Sequence, residues 1–413
     1  SISNAVAQNN QNKNKVPKIW VNEIEIEGNE HTTDNELERT MVVKESRWWN
    51  KHKCIPDLFQ DDLRSIIAYY NNRGYLDASI RAWDSTYVEP QRINLKIVLN
   101  EGPQYHVGRI TFEGNTVFSS QRLRSRIKID EGDPFSFLEL SESNWNLVNL
   151  YANSGYLDAA VEPRISTEQT TMNVLFEIQE GQPVYADTIL IQGLEKTEPK
   201  VVLRELKIEK NELLTRSRIV TSQQNLYKTG LFQSVYINAG RSDSVEKQSR
   251  PVIIKLVEAK AGEFNAGVGY GSEEQFRVSL ELLQGNFLGT GQRIGTRGRA
   301  NFQIWEPQFG DIRTELLYTS PYFLSAGIQL DNSTYYQREV EQNYTLNRFG
   351  TEVTIGRDVF RYSRVFSTMK IENNYFTRVD TASVVDTVNS RLRSLSLNFT
   401  RDSRNNLFNP TDG

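Results

Sequence analysis

From Phe264 onward, apolar and polar residues take turns along the chain. Phe264, Ala266, Val268 and Tyr270 share one face and Asn265, Gly267, Gly269 and Gly271 the other; after a polar turn at 272–275, Phe276, Val278, Leu280 and Leu282 oppose Arg277, Ser279 and Glu281. A period of two puts successive side chains on opposite sides of a strand. Eight strands are predicted, at about 262–271, 275–284, 292–304, 311–320, 326–338, 347–358, 364–378 and 390–402. In the third, Ile294, Thr296, Gly298, Ala300, Phe302 and Ile304 oppose Arg293, Gly295, Arg297 and Arg299. In the eighth, Leu395, Leu397 and Phe399 oppose Ser394, Ser396 and Asn398. One face is apolar, and the other carries arginine and glutamate. Nothing before residue 259 reads this way, so 259–263 is the expected hinge between two kinds of structure.

Upstream, the chain repeats itself. YYNNRGYLDA at 69–78 returns as LYANSGYLDA at 150–159 and, shortened, as LYKTGLFQSV at 226–235. A second mark agrees: IEIEGNEHT, ITFEGNTVF and ILIQGLEKT place Gly28, Gly114 and Gly193 at matching positions. Such spacing marks one structural unit used three times. Each unit opens with a short alternating strand and continues into a first helix announced by Thr33 and Asp34, by Ser119 and Ser120, or by Glu198 and Pro199. The second helix carries an apolar stripe, Phe59, Leu63, Ile66, Ile67 and Tyr70 in the first unit and Leu140, Leu147, Val148 and Tyr151 in the second. Gly74, Gly155 and Gly230 stop that helix, and two strands close the unit. The expected fold is therefore α+β, three β-α-α-β-β repeats followed by an antiparallel β structure. The expected segments are a linker at 1–17, repeats at 18–102, 103–182 and 183–260, and the β portion at 261–413. GYLDA itself reads as a helix cap feeding a strand. A small three-stranded sheet has open edges able to accept an extended peptide through its backbone. The strands after the cap glycines place Leu76, Ala78, Ile80, Leu157, Ala159, Val161, Phe232 and Val235 at such edges.

Composition narrows the setting. The chain has 413 residues, a net charge of −4 and one cysteine, Cys54, which excludes an intramolecular disulfide. Its pI of about 5.7 speaks against a nucleic-acid partner. Mean hydropathy is −0.54, and no apolar run is long enough for a transmembrane helix. A membrane barrel escapes that test, because its strands are short and half their residues face a polar lumen. Every second connection between the predicted strands (GNFLGTG, SPYFLSA, FRYS, NNLFNPTDG) is rich in glycine, proline and aromatics, whereas EPQFGD, REVEQNYT and DTASVVDTVNS are mostly polar. Aromatics crowd the strand ends: Phe287, Phe309, Tyr322, Phe323, Tyr335, Tyr336, Tyr362 and Phe408. Girdles and unlike loops on two sides fit a transmembrane barrel. A soluble sandwich or lipocalin-like barrel would pack the apolar face inward and leave the aromatic ends without a purpose.

Three such repeats, then EAKAGEFNAGVGY, GNFLGTGQ and RDSRNNLFNPTDG, resemble the BamA/TamA superfamily of outer-membrane assembly factors, in which POTRA repeats precede a sixteen-stranded barrel. The family turn motifs map to Asn286, Phe287, Gly289 and Gly291 and to Asn409, Pro410 and Gly413. The resemblance implies that the β portion is the N-terminal half of an outer-membrane barrel. It also implies a Gram-negative-type bacterium, with the repeats in the periplasm. The implied partners are unfolded outer-membrane proteins as clients, membrane lipid, and periplasmic chaperones with accessory lipoproteins or an inner-membrane partner. The implied function is insertion of other barrels into the membrane; translocation of specific polypeptides is the alternative, and a plain porin fits poorly with the repeats.

No enzyme signature accompanies the pattern. His31, His52 and His106 are dispersed, His52 with Cys54 makes too few ligands for structural zinc, and no nucleophile elbow, P-loop or HExxH is present. No cofactor or metal is expected. Glycine within a strand weakens pairing. The stretch Gly262, Phe264, Asn265, Gly267, Val268, Gly269 and Tyr270 is therefore the expected weak seam of the barrel, unless its glycines serve close packing in the lumen.

Overall fold

A computed structural model describes residues 19–46, 52, 55–240, 248–272, 275–302, 309–324, 327–341, 344–360, 362–379 and 388–404. The linker at 1–17, Cys54, and Phe408, Asn409, Pro410 and Gly413 lie outside the described residues. The chain divides after Val184 into two compact units.

In the first repeat, β1 (Trp20–Glu27) is followed by α1 (Asp34–Thr40) and α2 (Pro56–Asn71), then β2 (Ser79–Glu89) and β3 (Arg92–Asn100). The second repeat runs β4 (His106–Glu113), α3 (Ser120–Arg124), α4 (Phe137–Asn153), β5 (Ala160–Glu168) and β6 (Thr171–Gln179). The third runs β7 (Tyr185–Gln192), α5 (Pro199–Leu203), α6 (Arg216–Lys228), β8 (Phe232–Ala239) and β9 (Ser249–Glu258). The last strand lies in the middle of each sheet, in the orders β1-β3-β2, β4-β6-β5 and β7-β9-β8. It runs parallel to the first strand and antiparallel to its hairpin partner. The helical stripes predicted from the sequence meet these sheets: Phe59, Ile66 and Tyr70 in the first repeat, and Leu147 and Tyr151 in the second, are fully buried.

Each repeat also closes on a carboxylate, buried in the first two repeats and half-buried in the third, that the apolar patterns do not reveal. Glu101, Glu180 and Glu258 stand just past or at the end of the middle strand and accept hydrogen bonds from the loop that follows the first strand. Glu180 takes the N–H groups of Thr116 and Val117 at 2.8 Å each and the Tyr151 hydroxyl at 2.8 Å. Glu101 takes the Tyr70 hydroxyl in the same way. In the third repeat Leu226 replaces the tyrosine, and Glu258 accepts from the N–H groups of Glu195, Lys196 and Thr197 instead. Burial works against charge on Glu180, but donors from Thr116, Val117 and Tyr151 outweigh it and hold the carboxyl below the usual range. The same loops need their glycines: at Gly114, with φ of +83°, a Cβ would stand 2.1 Å from the Ile178 carbonyl oxygen.

The remaining strands, β10 (Gly262–Gly271), β11 (Gln275–Phe287), β12 (Gln292–Phe302), β13 (Phe309–Phe323), β14 (Ile328–Val340), β15 (Tyr344–Phe360), β16 (Ser363–Val379) and β17 (Ser390–Arg401), form one antiparallel sheet in chain order. Strands β10 and β17 do not pair with each other, so this is an open sheet and not a closed eight-stranded barrel. The strands match those predicted, several running further into the turns. The expected hinge shortens, because Gly262 and Glu263 already belong to β10. What remains, residues 259–261, is pinned by Ala259 N–H to Leu231 O at 2.8 Å and Gly285 N–H to Ala261 O at 2.7 Å.

Candidate functional site: the sheet faces, seam and open edges

The two faces of the large sheet differ in chemistry. On one, Val268 is 88% exposed, Leu316 63% and Leu397 77%. On the other, the guanidinium of Arg297 reaches Glu281 at 2.5 Å and Glu315 at 3.6 Å, Arg313 pairs with Glu315, and Arg348 pairs with Glu339 at 2.8 Å. Tyr335, read from the sequence as a girdle residue, belongs to this polar face. It is buried, donates to Glu372, lies under the Arg313 guanidinium at 4.5 Å, and covers Gly350, whose missing side chain makes room for its ring. Its hydroxyl finds a charged acceptor there that a lipid-facing position lacks. Tyr322 also departs from the girdle expectation: its hydroxyl donates to Glu205 of the third repeat at 2.9 Å, and Arg204 stacks on its ring at 4.0 Å.

The expected seam residues Gly262, Phe264, Asn265, Gly267, Val268, Gly269 and Tyr270 all lie in β10, which pairs with β11 along its whole length. Phe264, Val268 and Tyr270 occupy the apolar face, and Asn265 occupies the polar one, 3.3 Å from Glu281. Among the described residues, packing demands few of the glycines. A Cβ at Gly267 would crowd Ser279 Oγ at 2.7 Å, but Gly269 and Gly271 have nothing within 4 Å.

The turn residues join the third repeat to the sheet. Asn286 donates to Thr197 Oγ1 at 2.8 Å and accepts from Gly291 N–H at 3.1 Å, closing the turn. Glu198 N–H donates to Gly289 O at 2.9 Å, and a Cβ on Gly289 would lie 2.1 Å from Lys196 O. Phe287 is partly exposed at the end of β11.

The residues proposed for the repeat edges are corrected in part. Leu76, Ala78, Leu157 and Ala159 precede the strands instead of lying in them, and Leu76 packs on the core of the second repeat. Ile80, Val161, Phe232 and Val235 lie in edge strands, but they turn their side chains inward because the sheet needs one buried face; Val161, Phe232 and Val235 are fully buried. Any edge contact is left to backbone. The opposite edges are covered by the loop between the two helices. Val21 exchanges backbone hydrogen bonds with His52 and Ser46, Val107 with Asp133 and Gly132, and Ala186 with Glu212 and Asn211.

Comparison with known proteins agrees with this architecture. A model described as POTRA, surface antigen variable number repeat, matches 20–102, 105–181 and 184–259, and a model of the Omp85 superfamily domain matches 286–413. The outer membrane protein assembly factor BamA of Nitratidesulfovibrio vulgaris is 26% identical over 96% of this chain and 51% of its own length. That of Neisseria meningitidis is 24% identical over 76% of this chain and 40% of its own. Among solved structures, BamA from Haemophilus ducreyi lacking POTRA domains 1–3 superposes with a TM-score of 0.61 at 20% identity, over 75% of this chain and 62% of that one. The chain spans about half the length of the curated relatives it matches. It belongs to the Omp85 superfamily of outer-membrane β-barrel proteins, with three POTRA repeats on the periplasmic side of the membrane.

Proposed function

We propose that the protein of which this chain is part inserts other β-barrel proteins into the outer membrane, as the names of its relatives suggest. Unfolded barrel proteins are received on the repeats, and their strands enter the membrane beside β10, without covalent chemistry. The observation that carries this reading is the composition of β10: Gly269 and Gly271 have nothing within 4 Å in the described sheet, so the paired strand β11 does not require them to lack side chains. Glycine there weakens the strand and lowers the cost of parting it from its neighbour. An edge parted in lipid leaves amides unsatisfied, each costing several kcal/mol, and an incoming client strand satisfies them.

A cysteine pair linking β10 to the strand beside it in the complete protein tests this. Oxidation is expected to stop insertion of barrel clients into lipid vesicles and reduction to restore it. Equal insertion in both states refutes a role for this seam.

A further inference from the structure

The three repeats differ at the edges that their helix-to-helix loops leave uncovered, those of β2, β5 and β8. Strands β5 and β6 are joined by the two residues 169–170, with Glu168 opposite Thr171. A two-residue turn closes on a hydrogen-bonded pair, and such pairs alternate along an antiparallel ladder. Val161, Pro163, Ile165 and Thr167 are therefore the residues whose backbone groups point to the open edge. Pro163 has no N–H to offer, and its ring fills the place where a new strand would approach.

The third repeat closes its edge differently. Val235, opposite Leu256, is the counterpart of Val161, opposite Ile178. Its N–H donates to Tyr227 Oη at 3.1 Å, and its carbonyl accepts from Gln223 Nε2 at 2.8 Å. Both partners come from α6, so at Val235 the edge is capped by its own helix. These contacts also show directly that residues of the buried face turn their backbone groups outward.

In the first repeat Trp83, opposite Ile97, takes the place of Pro163, opposite Phe176. Strand β2 contains no proline. The Ser85 N–H is held by the neighbouring Asp84 carboxylate at 2.8 Å, and those of Trp83 and Tyr87, which the same alternation turns to the open edge, have no partner outside the β2–β3 ladder among the described residues. Beside this edge runs a groove of about 710 Å³ lined by Leu63, Arg64, Ile67, Ile80, Ala82 and Trp83.

We propose that, of these three repeats, strand addition is confined to the first, where an extended segment with alternating apolar residues pairs with β2 and seats one face in this groove, while Pro163 and the Tyr227 and Gln223 caps close the other two edges. This rests on the client-receiving reading above. The period-two pattern of the occupant is that of an unfolded barrel strand, whose apolar residues all fall on one side.

Hydrogen exchange of the full-length protein in lipid nanodiscs, with a synthetic ten-residue alternating peptide, tests it. At about nine-tenths occupancy the Trp83 and Tyr87 amides should exchange about tenfold more slowly, with 161–167 and 235–239 unchanged. Pro163→Val should bring the same slowing to β5, and Gln223→Ala with Tyr227→Phe to β8. A peptide N-methylated along its pairing edge should protect nothing. Protection of β5 or β8 in the unaltered protein, an unresponsive β5 in Pro163→Val, or protection by the N-methylated peptide overturns the proposal while leaving client reception intact. Absence of protection at all three edges overturns the reception reading itself.

Discussion

An arginine placed on the apolar face of the large sheet should cost far more than one placed on the polar face at the same height. Leu316 is the central residue of the fifteen in β13 and is 63% exposed, with Thr296 and Thr334 beside it on the neighbouring strands. Ser333 is one step away on β14, opposite Leu317 and Glu352, and lines a cavity of about 300 Å³ with Asp331 and Glu352. Leu316→Arg puts a guanidinium into hydrocarbon near the bilayer midplane, at a cost of about 2–4 kcal/mol. That is roughly a 30-fold to 1,000-fold fall in the ratio of folded to unfolded barrel. Ser333→Arg gives the same group room, water and two carboxylates, and should cost close to nothing. The assay is urea titration of the full-length protein in lipid vesicles, with the folded fraction read from the mobility shift of unheated barrel on a gel. Equal midpoints for the two variants, or a lower midpoint for Ser333→Arg, would refute the assignment of the apolar face to lipid.

Other consequences are accessible to single measurements. Tyr322→Phe removes the hydroxyl that satisfies buried Glu205 and should destabilise the contact between the third repeat and the sheet by about 1–3 kcal/mol, seen as faster amide exchange at 197–206. Because Glu180 is held below the ordinary carboxylate range, its contribution is complete above the unfolded pKa and lost as pH falls through the folded one. The urea midpoint of the second repeat should therefore drop below about pH 4, and Glu180→Gln should flatten that dependence while lowering the midpoint at neutral pH. Gly114→Ala, with a carbonyl 2.1 Å from the new Cβ, should be markedly more destabilising than Gly132→Ala, which has φ of +95° but nothing within 4 Å and should cost about 1–2 kcal/mol in a thermal melt.

Period and punctuation made most of the fold legible. The alternation around Leu280 and Thr351 marks strands because a pleat sorts side chains by parity, and Gly74, Gly155 and Gly230 mark helix ends because all three have positive φ. The site was less legible where long-range partners decide. Nothing local tells Tyr335 from Tyr336; the first meets Glu372 across two strands and the second faces outward. The closing carboxylates were within reach of the repeat: Glu101, Glu180 and Glu258 recur at steps of 79 and 78 residues (180 − 101, 258 − 180), but a charged residue beside a strand end reads as solvated until its donors are seen. The edges were legible as places for backbone pairing, but Leu76, Ala78, Leu157 and Ala159 fall just before the edge strands, and the apolar residues within those strands face the core and leave only backbone at the rim.

That distinction bears on how a client could pass from repeat to membrane without an external energy source. At the edge of β2, an added strand exchanges water for protein partners, so each hydrogen bond nets only about 0.5–1.5 kcal/mol. Beside β10 the competing state is an amide unsatisfied in hydrocarbon, and the same bond is worth several kcal/mol. Backbone pairing is indifferent to sequence in both places, so under the proposed function one client segment would fit both. The gradient between weak capture in water and strong capture in lipid then favours transfer toward the membrane. It persists only while the aqueous edges stay few and shallow, which is the role that Pro163 and the Tyr227 and Gln223 caps would fill by closing two of the three repeat edges described.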